Sequence, residues 1–319
     1  MLVQIIILVV SLIVLGLAAN YLVNSSIKIA RKWNVSEMFI GLTIVAMGTS
    51  APEIAVSVFA AIKGQGDLSV GNVIGSNIFN LGFILGLVAI IAPQIIPKKM
   101  VYRDGFVLLL ATIMIFFFAF DLKIVIWEGL IMLAALISYL SFLAVKKDVP
   151  AEEDDTHGAK AVWTDYIIFI VSLFTLVKSS DYVVSSSVYI AEYFKISAWA
   201  IGATIVAAGT SLPELATSII ATVKKKFGLS IGNVVGSDIF NTFGIIGISS
   251  VIAPITLQSR TEIFGVADSI FSIIILILTL FLTLIFMRTG WRIGRREGII
   301  LFVLALMRMA FEVYLGKMG

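Results

Sequence analysis

The chain contains the same segment twice. Residues 37–93 align with residues 198–254 at a constant offset of 161 without a gap, and 30 of the 57 aligned positions are identical. The identities are concentrated at Gly, Pro, Glu, Ser and Asn, which a shared apolar bias would not favour. We therefore predict a tandem duplication, in which the two copies form the same structure.

Long apolar runs indicate that both copies lie in a membrane. Of the 319 residues 60% are hydrophobic and 13% are charged. Runs such as 105–120 and 265–287 approach the ~20 residues that a helix needs to cross a bilayer. We expect an all-α polytopic membrane protein with ten spans, near residues 3–27, 36–62, 69–92, 104–120, 124–145, 163–190, 197–222, 230–253, 263–287 and 296–315. The first span lacks the basic flank of a signal peptide and has a counterpart at 162–191, so we expect it to remain as a helix.

Five spans per copy predict that the two copies have opposite orientations in the membrane. The predicted domains are a first repeat at 1–145, a cytoplasmic linker at 146–162 and a second repeat at 163–319. Fifteen Lys and Arg residues fall at span ends on one side and five on the other. Since cytoplasmic loops are the basic ones, we expect a multi-pass protein of the cell membrane with both termini outside. Inverted repeats are typical of secondary transporters with a binding site at the midplane.

The second span of each copy contains a polar motif. Residues 48–53 read Gly-Thr-Ser-Ala-Pro-Glu, and residues 209–214 read Gly-Thr-Ser-Leu-Pro-Glu. Proline bends a helix and frees backbone carbonyls, and Thr49 and Ser50 share a helix face with Glu53. Each motif thus gathers a carboxylate, hydroxyls and carbonyls, the hard oxygen ligands that calcium accepts in flexible geometry.

These glutamates need a partner in the membrane. A charged side chain at the bilayer centre costs at least ~2.5–3.5 kcal/mol. One alternative is that Glu53 and Glu214 are protonated or paired with a buried base, but the motif spans contain Lys and Arg only at their ends. We interpret both as cation ligands.

The third span of each copy contains a second motif. Residues 71–80 read Gly-Asn-Val-Ile-Gly-Ser-Asn-Ile-Phe-Asn, and residues 232–241 read Gly-Asn-Val-Val-Gly-Ser-Asp-Ile-Phe-Asn. Small and amide residues often hold membrane helices together, which is what we expect of Gly71, Gly75, Gly232 and Gly236. We predict cation ligands at Ser76, Asn80, Ser237 and Asn241. Asp238 is the one acid of this motif, and its counterpart is Asn77.

Several classes of function are disfavoured. There is no Cys, and the single His157 lies in a polar loop, so thiolate metal sites and disulfides are excluded. The net charge of +3 reflects membrane topology rather than nucleic-acid binding. No HExxH or GxSxG motif is present, so we expect neither an enzyme nor a cofactor. Lys178 and Asp181 are predicted to neutralise each other as a structural pair.

The two motifs resemble the alpha repeats of the sodium/calcium exchangers, a branch of the cation/calcium antiporter superfamily. The resemblance covers the whole chain, without the regulatory domain of animal members. It implies secondary active exchange of Ca²⁺ for Na⁺ by alternating access, with these ions and the lipid bilayer as partners. Carried over by position, the implied ligands are Glu53, Glu214, Thr49, Ser50, Thr210, Ser211, Ser76, Ser237, Asn80, Asn241 and the carbonyls of Ala46 and Ala207.

Two questions stay open in the sequence. A proton/calcium antiporter of the same fold is the nearest alternative, although its GNxxE-like signature is absent, and a channel would conduct without a counter-ion. Position 238 is usually Asn in the family, and many members have Asp at the position of Asn241. We expect Asp238 to be an auxiliary acid that influences sodium coupling, the alternative being that it merely accepts hydrogen bonds. Exchange is predicted to need no potassium.

Overall fold

The computed structural model describes residues 1–146, 158–194, 205, 207–257, 262–263 and 266–315. The protein is mainly helical. Its helices, numbered along the chain, are α1 Leu2–Trp33, α2 Glu37–Thr49, α3 Ala51–Ile62, α4 Gly66–Ile91, α5 Met100–Phe118, α6 Ile126–Lys146, α7 Trp163–Tyr193, α8 Leu212–Val223, α9 Phe227–Ile252, α10 Asp268–Arg288 and α11 Arg295–Leu315. A short helical turn, Ala207–Gly209, precedes α8. Helices occupy the predicted spans wherever these are described. Most of 197–206, in the predicted seventh span, and residues 147–157 of the predicted linker lie outside the described residues.

The protein is a multi-pass membrane protein. In the described part of the chain seven helices are individually long and apolar enough to cross a bilayer, and α2 with α3 would make an eighth span bent by 48°. The shorter helix α8 and the helix α11 do not belong to this group. Ten spans therefore remain a prediction.

In the described residues the mainly helical fold also contains three antiparallel pairs of two-residue strands. The strands are β1 Gln94–Ile95, β2 Lys123–Ile124, β3 Ile255–Thr256, β4 Glu262–Ile263, β5 Val266–Ala267 and β6 Arg292–Ile293. β1 pairs with β6, β2 with β3, and β4 with β5. The first two pairs join loops of different copies, so they depend on where the spans end in space and cannot be read from periodicity along the chain.

The helices α4 and α9 form the centre of the molecule and are the most buried candidate spans. Helix α9 lies against α2 at glycines: a Cβ added to Gly232 would lie 2.6 Å from the carbonyl oxygen of Met38, and one added to Gly236 would lie 2.7 Å from Leu42. The predicted packing role is therefore confirmed for these two glycines. At Gly71 and Gly75 an added Cβ would meet no described atom within 4 Å, but the residues equivalent to Met38 and Leu42, 199 and 203, lie outside the described residues, so the packing role of these two glycines stays a prediction.

The helices α1 and α7 pack along each other at one side of this centre. An ion pair of 2.7 Å between Lys28 and Asp165 joins them near their ends. The predicted pair of Lys178 and Asp181 is present on the exposed surface of α7, with its charged atoms 3.4 Å apart.

Candidate cation-binding site

Each of the two first motifs breaks its helix as predicted. Ser50 and Ser211 have ψ near 10°, and a new helix starts directly after each of them. Proline occupies the first turn of both new helices, where its missing N–H costs no hydrogen bond. Glu53 and Glu214 lie in the same first turns, at the end of the helix where the backbone dipole favours negative charge.

The two copies meet at these glutamates through a reciprocal pair of hydrogen bonds. Ser50 donates its hydroxyl to Oε1 of Glu214, and Ser211 donates to Oε1 of Glu53, both at 3.0 Å. All four side chains are buried. Ser237 donates a further hydrogen bond of 3.3 Å to Oε1 of Glu214. The carboxylate of each copy is thus held by a hydroxyl of the other copy.

The first amide of each second motif has a supporting role. Asn72 donates to the carbonyl oxygen of Glu53 at 3.3 Å and to the hydroxyl of Ser57 at 3.0 Å. Asn233 makes the equivalent bonds to Glu214 and Ser218 at the same distances. These amides fix the helices that bear the glutamates against α4 and α9.

Many buried oxygens around the glutamates receive no hydrogen bond from the described residues. They are Oε2 of Glu53, Oε2 of Glu214, Oγ of Ser76, Oδ1 of Asn80, Oγ1 of Thr210, Oδ2 of Asp238 and Oδ1 of Asn241. An unsatisfied buried polar group costs about 1–3 kcal/mol. These seven atoms belong to the motif residues and can all coordinate a cation, so the residues present fit a hard cation as cargo. Other buried oxygens without a hydrogen bond from the described residues lie outside the motifs, on Ser69, Gln94, Thr217, Ser249 and Ser269.

The remaining predicted residues lie within the first-motif segments. Thr49 Oγ1 is 3.3 Å from the carbonyl oxygen of Ala46 and 3.3 Å from Oδ1 of Asn233. The Ala46 carbonyl also accepts the backbone N–H of Ser50. Ala207 begins the helical turn that precedes Thr210. These residues lie beside the break, and the Ala46 carbonyl is already hydrogen-bonded there, so their role as ligands stays a prediction.

In the described residues no basic side chain forms an ion pair with Glu53, Glu214 or Asp238. The ion pairs there involve other acids: Glu37, Asp104, Asp165 and Asp181. The described residues also contain no cluster of three Asp, Glu, His or Cys side chains able to hold a metal ion. A cation held here would therefore need hydroxyl, amide and carbonyl oxygens as well as carboxylates. Such a mixed oxygen set suits calcium or sodium better than a transition metal.

Two features of the site were missed in the sequence. Asn80 and Asn241 lie in π-helical turns, Phe79–Ile84 and Phe240–Ile245, which are wider than α-helical turns and frequent at functional sites. Asn77 and Thr242 also contact the site, through a hydrogen bond of 2.7 Å from the amide to the hydroxyl. A polar residue four positions after Asp238 in an apolar span was the available signal for Thr242.

Comparison with known proteins decides the family. The family model described as "Sodium/calcium exchanger protein" matches residues 3–145 and 164–314. The chain belongs to the sodium/calcium exchanger family. Among its relatives, the putative antiporter CaxA of Alkalimonas amylolytica is 36% identical, with 95% of this chain and 96% of that protein covered. The sodium/calcium exchanger MaX1 of Methanosarcina acetivorans is 32% identical, over 98% and 99% of the two chains.

Solved structures agree with this family. A structure of the sodium-calcium exchanger NCX_Mj, soaked with 10 mM Na⁺ and zero Ca²⁺, superimposes with a TM-score of 0.83 at 30% identity. The match covers 97% of this chain and 98% of that chain. As a member of the exchanger family the protein is a membrane-embedded cation/calcium antiporter and not an enzyme.

Proposed function

We propose that the protein exchanges Ca²⁺ for Na⁺ across the cell membrane by alternating access. The observation that supports this most is the reciprocal contact of Ser50 with Glu214 and of Ser211 with Glu53. It gathers two carboxylates from the two copies at one buried point. Two ionised carboxylates balance the charge of one calcium ion, and sodium ions could compete for the same oxygens.

The proposed ligand set extends from these carboxylates to their neighbours. Hydroxyls, amide oxygens and carbonyls complete the six to eight oxygens that calcium takes. The members are Glu53, Glu214, Thr49, Ser50, Thr210, Ser211, Ser76, Ser237, Asn80, Asn241, Ala46 and Ala207, with Asp238 as a third acid beside them. No resident cofactor is proposed, since the ions are the cargo.

The proposed architecture has ten spans in two inverted repeats, 1–145 and 163–319, joined by a cytoplasmic linker, with both termini outside. The strand pairs support it. Two paired strands must lie on the same side of the membrane, so an even number of spans must separate them along the chain. With ten spans, six spans separate β1 from β6 and four spans separate β2 from β3. Both numbers are even only if α8, with the segment before it, also crosses the membrane.

The test is calcium uptake into vesicles that contain the purified protein, driven in turn by an outward gradient of sodium, protons or potassium. We expect the sodium gradient to drive accumulation and the other two to fail. Accumulation driven by protons alone would identify a proton/calcium antiporter instead. Uptake that merely follows the calcium gradient, without any counter-ion, would indicate a channel.

A further inference from the structure

The amides of Asn80 and Asn241 are each held by a residue of the opposite copy. Asn80 donates from Nδ2 to Oδ1 of Asp238 at 2.9 Å, and Asn241 donates from Nδ2 to Oδ1 of Asn77 at 3.1 Å. Because an amide has its donor and its acceptor on opposite sides, each bond directs Oδ1 away from its partner. Both Oδ1 atoms are the buried oxygens that receive no hydrogen bond from the described residues.

The orientation of Asn77 is itself fixed by Thr242. Asn77 Nδ2 donates to Oγ1 of Thr242 at 2.7 Å, and more distantly to the carbonyl oxygen of Asp238 at 3.3 Å. The Thr242 hydroxyl donates its proton to that same carbonyl oxygen of Asp238, at 2.8 Å. It can therefore only accept a hydrogen bond from Asn77. Asn77 must therefore present Oδ1 to Asn241.

The other copy lacks this threonine. At the offset that relates the copies, Asp238 corresponds to Asn77, and Leu81 corresponds to Thr242. A leucine accepts no hydrogen bond, so an Asn at position 238 would bury an N–H group without the partner that Thr242 gives to Asn77. A carboxylate has no N–H group and presents only acceptors to Asn80.

We propose that residues 77 and 238 are positioning residues that aim the amide oxygens of Asn241 and Asn80 at the transported cation. We also propose that Thr242 and Leu81 determine whether an amide or a carboxylate can act as the positioning side chain. Thr242 permits an amide at position 77, and Leu81 requires a carboxylate at position 238. Asp238 is then the side chain that fits beside Leu81, and its carboxylate serves to orient Asn80 before it serves as a charge.

The proposal rests on the proposed function for its cargo, and a double replacement tests it. Asp238→Asn should raise the KM for calcium uptake roughly tenfold, because the new amide lacks the hydroxyl acceptor that Thr242 gives to Asn77 and ceases to fix Asn80. Adding Leu81→Thr should return the KM to within about threefold of the native protein, although the negative charge is still missing. Leu81→Thr alone is the control and should transport normally.

The other copy provides the mirror experiment. Thr242→Val keeps the shape of the side chain but removes the acceptor, so the KM should again rise roughly tenfold. Asn77→Asp added to it should restore transport, because the carboxylate accepts from Asn241 without the hydroxyl. A double variant whose KM is as high as that of its single-variant parent, in either copy, would overturn the proposal. An unchanged KM in Asp238→Asn or in Thr242→Val would also overturn it.

A second measurement separates this proposal from the proposed function. The melting temperature of the purified variants reports the hydrogen bonds whether or not sodium is the counter-ion. It should fall in Asp238→Asn and in Thr242→Val and recover in both double variants. If the temperatures follow this order while sodium drives no uptake, the hydrogen-bond arrangement stands and the proposed counter-ion fails. Temperatures that do not recover in the double variants would overturn the arrangement itself.

Discussion

At the scale of single residues, the site depends on two buried carboxylates held across the copies. The sequence predicted Glu53 and Glu214 because an acid inside an apolar span needs a partner. It could not predict that Ser50 would contact the opposite glutamate, since the spacing only places Ser50 on the same helix face as Glu53. Contacts between copies depend on how the spans pack, which the helical period does not contain. The same holds for Asp238, which accepts a hydrogen bond from Asn80 of the other copy.

The first prediction concerns these carboxylates. Glu53→Gln or Glu214→Gln should abolish calcium uptake while leaving a folded protein, because the amide keeps the size of the side chain and removes the charge that balances the ion. Glu192→Gln, at an exposed position near the end of α7, is the matched control and should transport normally. Uptake is measured in vesicles with a sodium gradient. Native uptake by either glutamate variant at the site would exclude that residue as an essential ligand.

The second prediction concerns potassium. Asn241 is neutral and offers a single amide oxygen, and the one acid of its motif, Asp238, accepts a hydrogen bond from Asn80 of the other copy. Sodium-dependent calcium uptake should therefore be the same with and without potassium on either side of the membrane. A protonophore at equal pH on both sides, which holds the membrane potential near zero without potassium, is the control for electrical effects. An absolute requirement for potassium would contradict this prediction.

At the scale of helices, the sequence predicted the spans and their breaks well. Pro52 and Pro213 lie where the structure starts new helices, because proline cannot donate inside a helix. The π-helical turns and the short strands were not predicted, since both arise from contacts between distant segments. The packing of Gly232 against α2 was predicted, and the residues that would be the equivalent neighbours of Gly71, 199 and 203, lie outside the described residues.

The third prediction uses the close packing of Gly232 on α2. Gly232→Ala should lower the free energy of unfolding by about 1–3 kcal/mol, because the new methyl group overlaps the backbone of α2 at Met38. Gly16→Ala, in α1, is the control and should fold like the native protein, since an added Cβ meets no described atom within 4 Å. Thermal unfolding of the two purified variants compares them directly. Equal loss of stability in both would contradict the described packing.

At the scale of the whole molecule, the duplication was the most informative feature of the sequence. From it we predicted two copies with an odd number of spans in each, and the Lys and Arg residues at the span ends then predicted which side is cytoplasmic. The family is now established, whereas the inverted arrangement and the orientation remain proposals.

The fourth prediction tests that orientation. Single cysteines replacing His157 and Lys317 are suitable probes, because the chain has no native Cys. In intact cells an impermeant thiol reagent should label Lys317→Cys and not His157→Cys, and permeabilised cells should label both. Labelling of His157→Cys alone in intact cells would reverse the proposed topology.

The central claim is that one buried cluster of oxygens binds calcium and sodium in turn. Equilibrium binding of radioactive calcium to the purified protein, titrated with sodium, tests this most directly. Calcium should bind at one site per chain and be displaced completely by sodium, with a Hill coefficient above one because several sodium ions replace one calcium. Calcium binding that sodium leaves unchanged, at matched ionic strength set with choline chloride, would contradict the account.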